Sequence, residues 1–444
     1  MDAGSETKWP NLRSYAYTYD DLHLRNEDLF SCSDIVKQLD KELPRLRHAS
    51  SAACEVSSGI TQLAYTPPSV SFLTQLTSLC LGCYNQGIDT SRLPQIFAPT
   101  LINLRLRSIN PENVWNMFYD GQEGETVVFA KLKRLDIRFE HPLYWRESGD
   151  LPPHLHGATN SALTKRSVWA AGAAGDNPGC RAPLFPVLHT LWCTNMAYNF
   201  RDFISRTQCH DSLASLYVSN GDVYFDFDAE LFKNLEAVVF NTCFRSTDEE
   251  RTGSVDLYKS AFTSLLRTKR NIRRMEFKSS ARDTLFQVPP DIGCINLRSL
   301  VLGVEIDLKS MLRLLSNLKH LIELELGGDR NYTPIFDNGR VDTPEDIDEV
   351  QPPQADCLLV SSTLRRFTCH LHTSRERRCY TAAYALELAL HLPALKSMTL
   401  SVVHHTGVDF YKMVLNRFTQ RLSGSPYVND GLLNAMVVPR CFGL

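Results

Sequence analysis

The feature that most constrains this chain is a phrase of three apolar residues at fixed offsets, L-x-x-L-x-L, which returns along most of its length. The clearest copy is Leu76, Leu79 and Leu81. The same offsets recur at Leu101/Leu104/Leu106, Leu132/Leu135/Ile137, Leu188/Leu191/Cys193, Leu213/Leu216/Val218 and Leu235/Val238/Phe240. They continue at Ile272/Met275/Phe277, Leu297/Leu300/Leu302, Leu321/Leu324/Leu326, Leu364/Phe367/Cys369 and Leu395/Met398/Leu400, and a first copy reads as Leu12/Tyr15/Tyr17. In a chain that is 43% apolar such a triplet arises at about 8% of positions by chance, so the triplet alone decides nothing. Three regularities carry the weight. The leading position is almost always Leu, most leading residues stand 22 to 37 positions apart, and the preceding stretch repeats a local wording: WPNL, FAKL, FPVL, LFKNL, INL, LPAL.

The physics of the phrase is direct. Its last two apolar residues are two apart, the period of a strand, so both point to one face. The first reaches the same core from the incoming turn. One short strand cannot bury that face alone; stacked copies make a parallel sheet that shares a continuous core. Between copies the period becomes helical. Residues 306–318 place Leu308, Met311, Leu312, Leu314 and Leu315 near one face, and 255–268 do the same with Leu257, Ala261, Leu265 and Leu266. Residues 199–207 and 379–392 read likewise. Strand followed by helix, repeated, predicts an α/β fold with a parallel sheet inside and helices outside.

Bulk properties narrow the setting. A length of 444 residues would ordinarily mean several compact domains, but a repeat array grows without thickening one core. The formal net charge is −3, which gives no strong field to attract nucleic acid or an anionic membrane. The 13 cysteines are scattered, and several sit inside apolar runs (Cys80, Cys193, Cys369). That suits reduced, buried thiols in a cytoplasmic or nuclear protein better than a disulfide framework. The opening MDAGSETKWP lacks the layout of a signal peptide, and no apolar run approaches the roughly 18 residues of a membrane span.

The units LTSLCL, LINLRL, LKRLDI and LRSLVL resemble leucine-rich repeats, and the long spacing resembles the ribonuclease-inhibitor-like type. The irregular wording, as in WPNLRSYAYTYD and LPALKSMTLSV, resembles fungal leucine-rich-repeat proteins, many of which carry an F-box ahead of the repeats. The resemblance covers about residues 9–402. It implies a horseshoe-shaped solenoid with a parallel concave sheet and convex helices. It also implies non-enzymatic protein–protein recognition by a monomer, in its most specific form substrate recognition for an SCF-type ubiquitin ligase with cullin-ligase components as partners. The usual Asn after the third apolar position is mostly absent here. No F-box is visible: the residues before Trp9 are too few, and the one helix that 26–43 could form follows the first repeat-like strand. A generic scaffold or inhibitor-type repeat protein, or a hydrolase or metal-dependent enzyme, remain the alternatives.

The expected organisation is an N-terminal tail at 1–8, a solenoid at 9–402 and a helical cap at 403–444, with VDFYKMVLNRF (408–418) closing the core. Two insertions break the rhythm. Residues 141–184 are rich in Pro, Gly and Ala, and 328–357 are acidic, with Asp342, Glu345, Asp346, Asp348, Glu349 and Asp356.

The chemistry of catalysis is hard to find. There is no P-loop, dinucleotide fingerprint, H-E-x-x-H or G-x-S-x-G. Cys80 and Cys83 form a C-x-x-C without the second pair that zinc would want. In the cluster Cys369, His370, His372, Cys379, a strand sends the first two to opposite faces. His404–His405 lacks a fixed nucleophile, and Asp222, Asp226 and Asp228 read as a polar loop and strand edge. No cofactor or metal is expected. The basic run Arg267, Lys269, Arg270, Arg273, Arg274 could be an import signal or a phosphate patch, against a solvated helix end.

The surface of interest is the face opposite the core. The residues between and beside the last two apolar positions line up there. Arg105, Arg107, Arg134 and Arg138 form a basic cluster relieved only by Asp136, and Trp192 and Tyr217 follow on the next two repeats. These are residue types enriched at binding hot spots. The expected ligand is an acidic, partly apolar protein segment.

Overall fold

The computed structural model describes residues 14–17, 45, 47–51, 75–82, 98–109, 128–139, 184–194, 204, 207–219, 227, 229–242, 248–268, 271–279, 286–304, 306–327, 363–371, 385–386, 388–402, 412, 415–416, 420 and 436–439. They fall into two compact units, 1–213 and 214–444.

The first unit holds six strands: β1 (Ser14–Tyr17), β2 (His48–Ser51), β3 (Ser78–Gly82), β4 (Asn103–Ile109), β5 (Arg134–Phe139) and β6 (Thr190–Thr194). Each pairs in parallel with the next in sequence order. The second holds β7 (Ser215–Ser219), β8 (Ala237–Thr242), β9 (Arg274–Ser279), β10 (Ser299–Gly303), β11 (Glu323–Leu326), β12 (Arg366–Leu371), β13 (Ser397–Val402) and β14 (Met436–Pro439), again parallel and in order. All twelve apolar triplets supply strands. Their middle residues meet in register within each unit: Leu79 opposite Leu104, Leu104 opposite Leu135, Leu135 opposite Leu191. In the second unit Met275, Leu300, Leu324, Phe367 and Met398 form the matching line. The lines are dry: Leu135, Leu191, Met275, Leu300 and Met398 are fully buried.

Two further strands lie outside the triplets. β2 presents Ala49 and Ser51 where its neighbour has Leu79 and Leu81, and β14 places Val437 opposite Leu400. In β2 the middle apolar position is filled by Ala49, so hydrophobic size there falls below that of the other repeats.

One backbone device repeats throughout. In nine of the triplet repeats the carbonyl of the residue after the leading apolar position accepts two successive N–H groups from the next repeat. Thr77 O takes Ile102 N and Asn103 N, Ile102 O takes Lys133 N and Arg134 N, and Lys133 O takes His189 N and Thr190 N. Ala214, Glu236, Arg273, Arg298, Ile322 and Arg365 do the same in the second unit, all at 2.8–3.1 Å. The wording ahead of each leading residue also has a structural cause. In several repeats the residue three positions earlier is buried and its carbonyl accepts the leading N–H: Phe129 from Leu132, Phe185 from Leu188, Cys294 from Leu297, Leu392 from Leu395. FAKL, FPVL and LPAL are thus turns whose first side chain plugs the core.

Two helices are described in full, α1 (Asp248–Arg267) and α2 (Leu308–Asn317). Helix α2 starts where Asp307 accepts the N–H of Ser310 at 2.7 Å, and it buries Met311, Leu314 and Leu315. Helix α1 packs on the core face of β8 and β9. The ring of Tyr258 stacks on Phe277 at 4.2 Å, and its hydroxyl donates to the carbonyls of Phe240 and Lys278 at 3.2 and 2.7 Å. The end of α1 is closed by Gly293, whose N–H bonds to Leu266 O; a Cβ there would collide with the carbonyls of Arg267 and Thr268. Helical residues also occur at 204, 207, 385–386, 388–390, 412 and 415–416. The remainder of the helix expected at 408–418, and the insertions at 328–357 and 141–183, lie outside the described residues. Among the described residues no helix is long and apolar enough to cross a membrane.

Candidate functional site

Alternation along the strands of the first unit separates core from open face. Leu104, Leu106, Leu135, Ile137, Leu191 and Cys193 are buried, whereas Arg107, Arg134 and Arg138 are exposed. Register converts the sequence columns into a grid. The middle row runs Cys80, Arg105, Asp136, Trp192. One row pairs Asn103, Arg134 and Thr190, and the other Arg107, Arg138 and Thr194. Rows on one strand are two residues, about 6.7 Å, apart, and neighbouring strands are about 4.8 Å apart. Four of the six candidate residues thus surround Asp136, and a fifth, Trp192, stands directly opposite it. The sixth, Tyr217, lies on β7 of the second unit, half-buried and opposite Val239.

The electrostatics of this grid are unbalanced. Asp136 accepts the Nε–H of Arg105 at 2.7 Å. The side chains of Arg107, Arg134 and Arg138 have no ion-pair or hydrogen-bond partner among the described residues. Arg107 and Arg138 lie directly opposite each other in register, an arrangement that costs stability for like charges. The same face of the second unit is organised differently. Glu276 sits between Lys278 at 2.7 Å and Arg274 at 3.5 Å, Glu323 pairs with Arg366, and Glu325 meets His370 Nε2 at 3.0 Å. There, each cation on the strands finds a carboxylate. The basic run at 267–274 follows the second unit's rule in part: Arg267 is exposed at the last turn of α1, and Arg274 is the partner of Glu276.

The other clusters do not assemble among the described residues, where no group of three or more His, Cys, Asp or Glu could hold a metal ion. Cys369 is buried in the core while His370 lies on the opposite face. His372, Cys379, Cys83, His404, His405, Asp222, Asp226 and Asp228 lie outside the described residues. The sequence offers His370 only as a candidate metal ligand; its contact with Glu325, across 45 residues of sequence, has no sequence signal.

The buried thiols are passive. Desolvation by burial pushes Cys193 and Cys369 far above the usual thiol range, raises Cys209 to about 11 against a lowering hydrogen bond from Thr207, and raises Cys294 to about 12. In native protein at pH 8, maleimide should leave these four unmodified over minutes, and all four should react once urea unfolds the chain. Peptide-resolved mass spectrometry reads this directly; rapid native labelling of Cys193 or Cys369 would contradict the packing described.

No protein-family model matches the chain, and no curated protein is similar to it in sequence. The class is therefore set by architecture: a repeat protein built on parallel strands stacked in sequence order.

Proposed function

We propose that this chain is a leucine-rich-repeat-type solenoid that acts by binding another protein, without catalysis of its own, and that an acidic, partly apolar segment docks on the arginine face of its first unit. One observation carries the reading. Three exposed arginines there lack partners among the described residues, and two of them face each other. Like charges held together at a cost to the fold make physical sense where a partner supplies the opposite charge. Trp192 beside them offers the aromatic anchor that a partly apolar segment would use.

A fluorescein-labelled decapeptide of alternating Glu and Leu is a suitable probe. Wild-type protein is expected to bind it with an affinity that falls steeply as salt rises. Arg134→Ala combined with Trp192→Ala should weaken binding by about thirtyfold, roughly 2 kcal/mol. The unfolding midpoint should stay within about 4 °C of wild type. Binding unchanged by the double substitution would rule this face out.

A further inference from the structure

We infer that Asp136 is a positioning residue for ligand binding: it holds Arg105 by its Nε so that the two terminal amino groups of the guanidinium are turned to the acidic partner. The inference rests on the binding reading above and concerns the one acidic residue within the arginine grid. On charge alone Asp136 is an obstacle. It sits at the centre of the basic cluster, and it would repel the carboxylates that the cluster attracts. The geometry gives it another role. Its carboxylate takes the Nε–H of Arg105 at 2.7 Å, and the Asp136 side chain is 17% exposed against 42% for Arg105. The carboxylate is thus set down among its neighbours while the guanidinium reaches outward. Arginine carries five N–H donors in a rigid planar fork, so one bond at Nε fixes the plane of all the others. A long side chain that would otherwise lose rotamer freedom on binding is ordered beforehand, which removes part of the cost of association. Arg107, Arg134 and Arg138 have no such anchor among the described residues; Arg105 is the oriented member of the cluster.

The two roles of Asp136 predict opposite signs. If the residue acts only through its charge, Asp136→Asn makes the face more basic and tightens binding of the Glu–Leu decapeptide. If it positions Arg105, the same substitution weakens binding despite the gain in positive charge, by about fivefold. The decisive comparison adds Arg105→Lys, which keeps the cation but has no Nε–H fork to orient. In the Arg105→Lys background Asp136→Asn should tighten binding by about twofold, because only the charge effect is left. This reversal of sign is a readout that a merely structural role would not move, and near-ultraviolet circular dichroism checks that each variant keeps its packing. Tightening by Asp136→Asn in both backgrounds overturns the positioning role and leaves the binding face standing. Failure of the wild-type protein to bind the decapeptide overturns both.

Discussion

Replacing Phe277 with Ala is expected to cost the second unit about 3–5 kcal/mol, the range seen for removal of a fully buried aromatic side chain. Phe277 is fully buried on the core face of β9 and is the hub of an aromatic cluster. Its ring lies 5.8 Å from Phe240, 4.2 Å from Tyr258, 5.0 Å from Phe262 and 6.0 Å from Phe286. The substitution therefore empties the place where β8, β9, helix α1 and the Phe286 segment meet, and no single neighbour can fill it without leaving its own partners. Urea unfolding followed by near-ultraviolet circular dichroism should show an earlier midpoint. Arg274→Ala, on the opposite face of the same strand, should move the midpoint by no more than about 0.5 kcal/mol. A Phe277→Ala loss below about 1 kcal/mol would mean that the cluster does not stabilise the unit.

The contrast between those two positions explains why so much of the fold could be read from sequence. Core positions obey a rule of period two that a one-residue slip would invert, so Leu, Ile, Met and Phe appear at fixed offsets and the strands announce themselves. The turn ahead of each strand is legible for a similar reason. Phe129, Phe185 and Leu392 each plug the core while their carbonyls catch the leading N–H. The signal fails where a strand lacks a large apolar residue at the middle position. β2 and β14 pair with β3 and β13 through the backbone, and Ala49 holds the middle position of β2. Backbone pairing has no side-chain signature, and strands held mainly by it escape a pattern search.

The open face was legible in part. Strand alternation alone sends Arg105, Arg107, Arg134 and Arg138 to one side, and register brings them together because β4 and β5 pair without offset from Asn103 to Arg107. What the sequence could not express was which charges are paired. Arg274 and Arg134 stand at equivalent places in their repeats, yet Arg274 contacts Glu276 on its own strand while Arg134 has no partner among the described residues. Both have an acid two residues on, Glu276 and Asp136. Asp136 is taken instead by Arg105 on the neighbouring strand, and the shorter Asp side chain has less reach along its own. Pairing across strands depends on register and side-chain length together, and neither is visible in one repeat alone.

The three arginines without a partner among the described residues lead to the second large expectation. Arg138→Glu should weaken binding of the acidic decapeptide by about a hundredfold, roughly 3 kcal/mol, because it removes one cation and places a like charge against the ligand. The same substitution should stabilise the fold. Arg138 lies opposite Arg107, and exchanging a like-charged cross-strand pair for an opposite one is worth roughly 0.2–1 kcal/mol, reduced by solvent screening at exposed positions. Arg107→Glu should show the same pair of effects from the other strand. Together the two substitutions should restore like-charge repulsion and lose the stability gain, while binding stays absent. The four-way comparison separates function from folding, since one residue pair is read in opposite directions by two measurements. Fluorescence anisotropy supplies the binding arm and thermal unfolding the stability arm. Binding and stability that rise or fall together across the four proteins would mean that these arginines serve the fold, and the recognition surface would have to be sought elsewhere on the repeats.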